Sequence, residues 1–108
     1  MAKRGNMSKP DEGMKGPGKD LVVERVQTGV RMEKRMVKVL KALAEYLDIS
    51  LGDLLEGIVL HAFESKPPFS AQTLQQIARL KEVYGMDYGA EASHNLTEVP
   101  PQQKEEKR

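Results

Sequence analysis

The repeat of apolar residues along this chain changes its period at Glu33, and this change most constrains the fold. In residues 25–32 (RVQTGVRM), Val26, Val30 and Met32 alternate with polar residues. A period of two is typical of a β-strand with one apolar face and one polar face. A single strand needs a partner for its backbone hydrogen bonds and a cover for its apolar face. The rest of the chain must supply both.

From Glu33 onwards the apolar residues recur every three or four positions, which predicts an amphipathic helix to about Leu47. Residues 48–50 break this pattern, and Ser50 is a typical N-cap residue for a second helix. The proline pair 67–68 ends the second helix, because the residue before a proline disfavours helical geometry. This region is therefore predicted as strand, helix, turn and helix.

A third helix follows the prolines, with Ser70 as its N-cap and Gly85 as its C-cap. The sequence thus divides into four predicted parts, which are a disordered basic arm (1–20), the strand and two helices (21–66), a C-terminal helix (67–85) and a disordered tail (86–108). The arm and the tail contain too few apolar residues to offset the entropy lost on ordering.

The strand and two helices of residues 21–66 are too few to close a core alone. Symmetric dimerisation would pair two copies of the strand antiparallel across a two-fold axis, with four helices packed beneath. The predicted fold is therefore mostly α with one short β-strand, as a dimer. Its predicted core comprises Val26, Val30, Met32, Met36, Leu40, Leu43, Leu47, Leu54, Leu55, Ile58, Val59 and Phe63.

Three motifs follow one another in this region: V-R-M before the acidic residue at 30–33, D-I-S at 48–50, and L-L-x-x-I-V at 54–59. In this order they resemble the ribbon-helix-helix family, to which the Arc and methionine repressors belong. The resemblance covers residues 25–64. It implies a homodimeric and sequence-specific DNA-binding transcriptional regulator, a repressor, that reads the major groove with an intersubunit β-ribbon. A cytoplasmic location is expected separately, because the chain has no cysteine and no signal peptide.

The resemblance places the family's base-reading side chains at Gln27, Gly29 and Arg31. Arginine can hydrogen-bond guanine through two N–H groups, and glutamine can bridge adenine. Gly29 departs from the family pattern, because glycine offers no side chain to a base and weakens a strand. The alternative is that Gln27 and Arg31 are only the solvated face of an edge strand.

The resemblance also implies phosphate contacts at the N-terminus of the second helix, where free amides meet the positive end of the dipole. The predicted phosphate contacts are Arg25, Lys34, Arg35, Lys38, Ser50, Leu51 and Gly52. Gly52 lacks the hydroxyl that many relatives have there. Two alternatives stay open: Ser50 is only a helix cap, and the basic residues of the first helix are an ordinary solvated face.

Other classes of function find little support in the residues. The chain has no cysteine, and neither His61 nor His94 has a second ligand at metal-binding spacing. We expect no metal, no cofactor and no enzyme activity, since no nucleophile lies near a general base in any recognisable motif. No apolar run is long enough to span a membrane, and the N-terminus does not resemble a signal peptide.

Two alternatives to a DNA-binding repressor remain. One is a protein-interaction module, such as an antitoxin, that binds a partner protein through residues 67–108. Gly29 and the net charge of only +1 favour this alternative. The other is a helical oligomer that binds no nucleic acid and uses the strand only to hold the dimer together. The pattern does not decide whether the third helix packs on the dimer.

Overall fold

Three α-helices account for most of the computed structural model, which describes residues 20–100. They are α1 (Lys34–Leu47), α2 (Leu51–Phe63) and α3 (Ala71–Tyr84), followed by a short 3-10 helix at Ala90–Ala92. The three predicted helices are confirmed. Residues 1–19 of the predicted basic arm and residues 101–108 of the predicted tail lie outside the described residues.

The predicted β-strand is wrong, and with it the predicted ribbon-helix-helix fold. Residues 20–33, here called the N-terminal segment, have no regular secondary structure, and no β-strand occurs anywhere in residues 20–100. A strand exists only when a second strand takes its backbone N–H and C=O groups. The alternating pattern specifies two faces but supplies no such partner, so the described chain is mostly α.

Local hydrogen bonds explain where the helices begin and end. The side chains of Ser50 and Ser70 accept hydrogen bonds from the backbone amides of Asp53 (3.0 Å) and Thr73 (3.2 Å). These bonds satisfy amides that have no partner inside the helix. Asp48 ends α1 in the left-handed conformation (φ 61°), which aspartate tolerates better than most residues, and Gly85 ends α3 in the same way (φ 70°).

α1 is the central helix and packs against both α2 and α3. The buried apolar residues are Val39, Leu43, Ala44, Leu47 and Leu54. The half-buried side chains packed against this core are Leu40, Tyr46, Ile49, Ile58, Phe69, Ile77 and Leu80. Because α3 and the loop before it contribute to this core, the third helix is part of the same folded unit as α1 and α2.

Candidate functional site

The N-terminal segment is attached to α2 by an ion pair with two hydrogen bonds. Arg25 donates from Nε and Nη2 to the two carboxylate oxygens of Glu56, each at 2.8 Å. The hydrogen bond from Arg25 and its charge lower the pKa of Glu56. Both side chains are substantially exposed, so the pair contributes little to stability; it places residue 25 of the segment beside α2.

The three predicted base readers lie in the exposed part of this segment. Gln27 and Gly29 are exposed, and the exposed guanidinium of Arg31 forms an ion pair with Glu98. A Cβ atom added at Gly29 would meet nothing within 4 Å, and the φ of Gly29 is not in the left-handed region. The fold therefore does not require glycine at this position.

Arg35 lies in a cluster of polar groups at the start of α1, here called the Glu33 cluster (Glu33, Arg35, Gly85, Asp87 and Tyr88). Glu33 accepts hydrogen bonds from the Arg35 backbone amide (3.1 Å) and Nε (3.0 Å). Arg35 Nη1 donates to the carbonyl of Gly85 (2.9 Å) and lies 3.7 Å from Asp87. Tyr88 donates its hydroxyl hydrogen to Glu33. The Arg35 guanidinium carbon lies over the Tyr88 ring, 5.5 Å from the ring centre.

Burial and hydrogen bonds in the Glu33 cluster shift the pKa values of Glu33 and Tyr88. Partial burial would raise the pKa of Glu33, but hydrogen bonds from Tyr88 and Arg35, with the charge of Arg35, outweigh it and lower the pKa to about 2. Burial and the hydrogen bond to the Glu33 carboxylate raise the pKa of Tyr88 to about 12. Glu33 is therefore charged and Tyr88 neutral near neutral pH.

The lysines of α1 have a different environment from these arginines. Lys34, Lys38 and Lys41 are exposed, and none of them forms an ion pair within residues 20–100. They recur at helical spacing and therefore share one side of α1. Lys38 Nζ lies 5.9 Å from the ring centre of Tyr84. Lys34 and Lys38 are therefore the predicted phosphate-contacting cations that form no ion pair in the described part of the chain.

The N-terminus of α2, predicted as a phosphate site, carries its own acid. Ser50 holds the amide of Asp53, and the Asp53 side chain lies in the first turn of the helix. A carboxylate there competes with an anion for the positive end of the helix dipole. Leu51 is half-buried and Gly52 is exposed, with open space around its Cα. The geometry shows Ser50 as a helix cap, and a phosphate contact by Ser50 stays a prediction.

The residues predicted as a dimer core fall into two groups. Those inside the single chain, buried or half-buried, are Met36, Leu40, Leu43, Leu47, Leu54, Leu55 and Ile58. Those on its surface are Val26, Val30, Met32, Val59 and Phe63. Of the surface group, Val59 and Phe63 lie on one side of α2 together with Leu60, which is 63% exposed, and Phe63 is 79% exposed. We call Val59, Leu60 and Phe63 the α2 apolar face.

The histidines show no metal-binding arrangement. His61 Nδ1 donates to the carbonyl of Gly57 one turn earlier (2.8 Å), in the tautomer that carries hydrogen there. Within residues 20–100, no group of His, Asp or Glu is arranged to hold a metal ion, and no helix is long and apolar enough to cross a membrane.

The sequence reasoning missed Asp87, Tyr88 and Glu98, which contact the start of α1 and the segment before it. No local pattern could have indicated them, because they meet Arg31 and Arg35 only through the tertiary fold. The chain matches no known family model, no curated protein and no solved structure. The site is therefore interpreted from its own geometry.

Proposed function

We propose that this chain is a homodimeric, sequence-specific DNA-binding regulator that represses by occupying a short inverted repeat. One observation carries the proposal. The N-terminal segment is attached to α2 through Arg25 and Glu56, and it exposes Gln27 and Arg31 directly before the exposed lysines of α1. Groups able to read bases and groups able to contact phosphates thus follow one another on an anchored segment and a helix.

The residues of the N-terminal segment and the lysines of α1 would make different contacts with DNA. Gln27 and Arg31 have the side chains that form paired hydrogen bonds to adenine and guanine, so they would supply sequence discrimination. Lys34 and Lys38 would contact phosphates, which adds affinity and salt dependence without sequence information. Because Asp53 opposes an anion at the start of α2, the lysines are the stronger candidates for phosphate contacts.

The α2 apolar face supports the homodimer. Val59, Leu60 and Phe63 are exposed on one side of α2. Exposed clusters of large apolar side chains mark interaction surfaces. A two-fold axis buries the same face of two copies against each other, and a two-fold protein suits an inverted repeat.

The test is to incubate the purified protein with sheared genomic DNA at about 0.15 M salt, where nonspecific backbone binding is weak, and to sequence the retained fragments. We expect enrichment of a few fragments that share a short inverted repeat. The double variant Gln27→Ala/Arg31→Ala should lose this enrichment. The matched control, Gln75→Ala/Arg79→Ala, removes the same side-chain types from the exposed side of α3 and should retain it.

Light scattering after gel filtration tests the dimer in the same preparation. We expect a dimer for the native chain and a monomer for Phe63→Asp. The control is Leu74→Asp, which places the same charge on an exposed apolar position of α3 and should remain dimeric. A native monomer, or equal effects of the two variants, would contradict the proposed interface. Absence of any enriched fragment would contradict the DNA-binding function.

A protein-interaction module remains the second candidate, and one observation favours it. Arg25, Arg31 and Arg35 each pair with a carboxylate of the same chain. Part of the positive charge predicted for DNA is thereby neutralised. The partner protein of such a module would bind residues 67–108, where Leu74 and Val83 are exposed on α3. A folded dimer that enriches no DNA fragment would favour this candidate.

A further inference from the structure

The chain that follows α3 reaches Arg31, which the proposed function assigns to base reading, and Arg35, which the sequence predicts as a phosphate contact. We call residues 85–98 the C-terminal segment. Its Glu98 pairs with Arg31, the proposed base reader. Its Gly85 carbonyl accepts a hydrogen bond from Arg35 (2.9 Å), and its Asp87 carboxylate lies 3.7 Å from the same guanidinium. The segment therefore holds both side chains in the free protein.

The C-terminal segment has local structure of its own between these contacts. Tyr88 anchors one end by donating a hydrogen bond to Glu33. The 3-10 helix Ala90–Ala92 follows, and the amide of Asn95 donates to the carbonyl of Ala92 (2.9 Å), which continues the turn. The segment then returns to Arg31 through Glu98. It thus contacts the chain before and after the first residue of α1.

We propose that the C-terminal segment is an autoinhibitory contact that competes with DNA for Arg31 and Arg35, an inference that rests on the proposed function. A guanidinium gives paired hydrogen bonds to one planar acceptor at a time along each edge. Arg31 must therefore release Glu98 before it can present that edge to guanine. The carboxylates of Asp87 and Glu98 also add negative charge beside the proposed DNA surface, which opposes phosphates.

The exposure of the pair limits the strength of this competition. The side chains of Arg31 and Glu98 are 76% and 54% exposed, so water and salt screen their attraction. Arg35 keeps its bond to Glu33 whether or not the segment is in place, because both residues belong to the start of α1. The segment therefore adjusts the affinity for DNA and does not abolish binding.

The test compares Glu98→Gln with Glu91→Gln on a short DNA duplex that carries an enriched inverted repeat, by fluorescence anisotropy. Both variants remove one negative charge from the C-terminal segment, but Glu91 bonds to the Gly89 amide of its own turn, whereas Glu98 pairs with Arg31. We expect Glu98→Gln to tighten binding about two- to five-fold more than Glu91→Gln, the range typical of an exposed ion pair. Raising the salt should shrink this difference, because salt screens the pair.

A second measurement observes the contact without DNA. The resonances of the Arg31 guanidinium, whose Nη2 donates to Glu98, should shift in the NMR spectrum of Glu98→Gln and stay in place in that of Glu91→Gln. Equal tightening by both variants, or an unmoved Arg31 resonance, overturns the autoinhibitory contact and leaves DNA binding intact. Failure of the native chain and of both variants to bind any duplex overturns the proposed function, and the competition with it.

Discussion

Tyr88 donates a hydrogen bond to the carboxylate of Glu33, which lies 55 residues earlier and caps α1. One carboxylate thus satisfies the backbone at the start of a helix and holds the chain that follows the last long helix. Arg35 completes the arrangement by bonding Glu33 on one side and Gly85 on the other. The stability of the fold and the position of the C-terminal segment therefore depend on the charge of Glu33.

The first prediction concerns the loss of stability at low pH that results from protonation of Glu33. The folded-state pKa of Glu33, about 2, lies below the value of about 4.3 that an unfolded chain gives. Its contribution to stability is therefore complete above about pH 4.3 and is lost as the pH falls towards 2. We expect Glu33→Gln to lower the free energy of unfolding by about 1–3 kcal/mol at pH 7, with the difference closing near pH 2. Urea unfolding across this range measures it.

Tyr88→Phe is a second test of the acid prediction, and Tyr84→Phe is its matched control. Tyr88→Phe removes one of the hydrogen bonds that hold the pKa of Glu33 down, so it should move the acid loss to higher pH. Tyr84→Phe keeps the ring that lies beneath Lys38 and should leave the acid profile unchanged. A profile for Glu33→Gln parallel to that of the native chain would show that Glu33 does not control the acid response.

The second prediction concerns the core. Leu54 of α2 is completely buried against α1. Leu54→Ala should lower the free energy of unfolding by about 2–5 kcal/mol, because it removes buried methyl groups and leaves a cavity. Leu74→Ala changes a half-exposed leucine of α3 and should cost less than about 1 kcal/mol. Equal losses in chemical denaturation would contradict the packing of α2 on α1.

The third prediction concerns the junction between α1 and α2. Ser50→Ala removes the oxygen that holds the Asp53 amide and should cost about 0.5–2 kcal/mol of stability, whereas Ser50→Gly should cost only about a few tenths. Thermal unfolding of the three proteins tests this order. If Ser50 acts only as a cap, both variants should bind DNA as the native chain does at a temperature where all are folded. Weaker binding by both would restore the predicted phosphate contact.

The fourth prediction separates base reading from phosphate contact. Arg31→Ala should cost about 1–3 kcal/mol on an enriched inverted repeat and less on random DNA, because only the repeat offers the correct base. Lys38→Ala should weaken both duplexes alike and reduce the salt slope by about one. Lys66→Ala, which removes an exposed lysine paired with Glu64 beyond α2, is the control. Equal losses on both duplexes would exclude Arg31 from base reading.

The helices could be predicted from the sequence because their signals are local. Ser50, Ser70 and Gly85 act on backbone groups a few residues away, and the three-to-four spacing records which side of each helix is buried. Whether a β-strand forms could not be predicted in this way. The alternation at Val26 and Val30 indicates an apolar and a polar face, but it does not show that a second strand is present to accept the backbone hydrogen bonds. Those side chains are exposed in the described chain.

The contacts of the candidate site could not be predicted from the sequence, because they join residues that are far apart in the chain. Arg31 and Arg35 could be identified as basic residues beside a helix start, but their partners, Glu98 and Asp87, come after α3. Nothing in the spacing of charges indicates that the chain turns back to this point. Pattern reasoning therefore identified the cations and overestimated how much of their charge is free.

α1 contributes four of the five buried apolar residues and also presents Lys34, Lys38 and Lys41 to solvent. An anion that binds across these lysines recognises a spacing that exists only while the helix is packed in the core. Binding is then linked to folding, and a ligand at 100 times its dissociation constant would add about 2.7 kcal/mol to stability. The melting temperature of the chain therefore reports on whatever binds this helix, before that ligand has been identified.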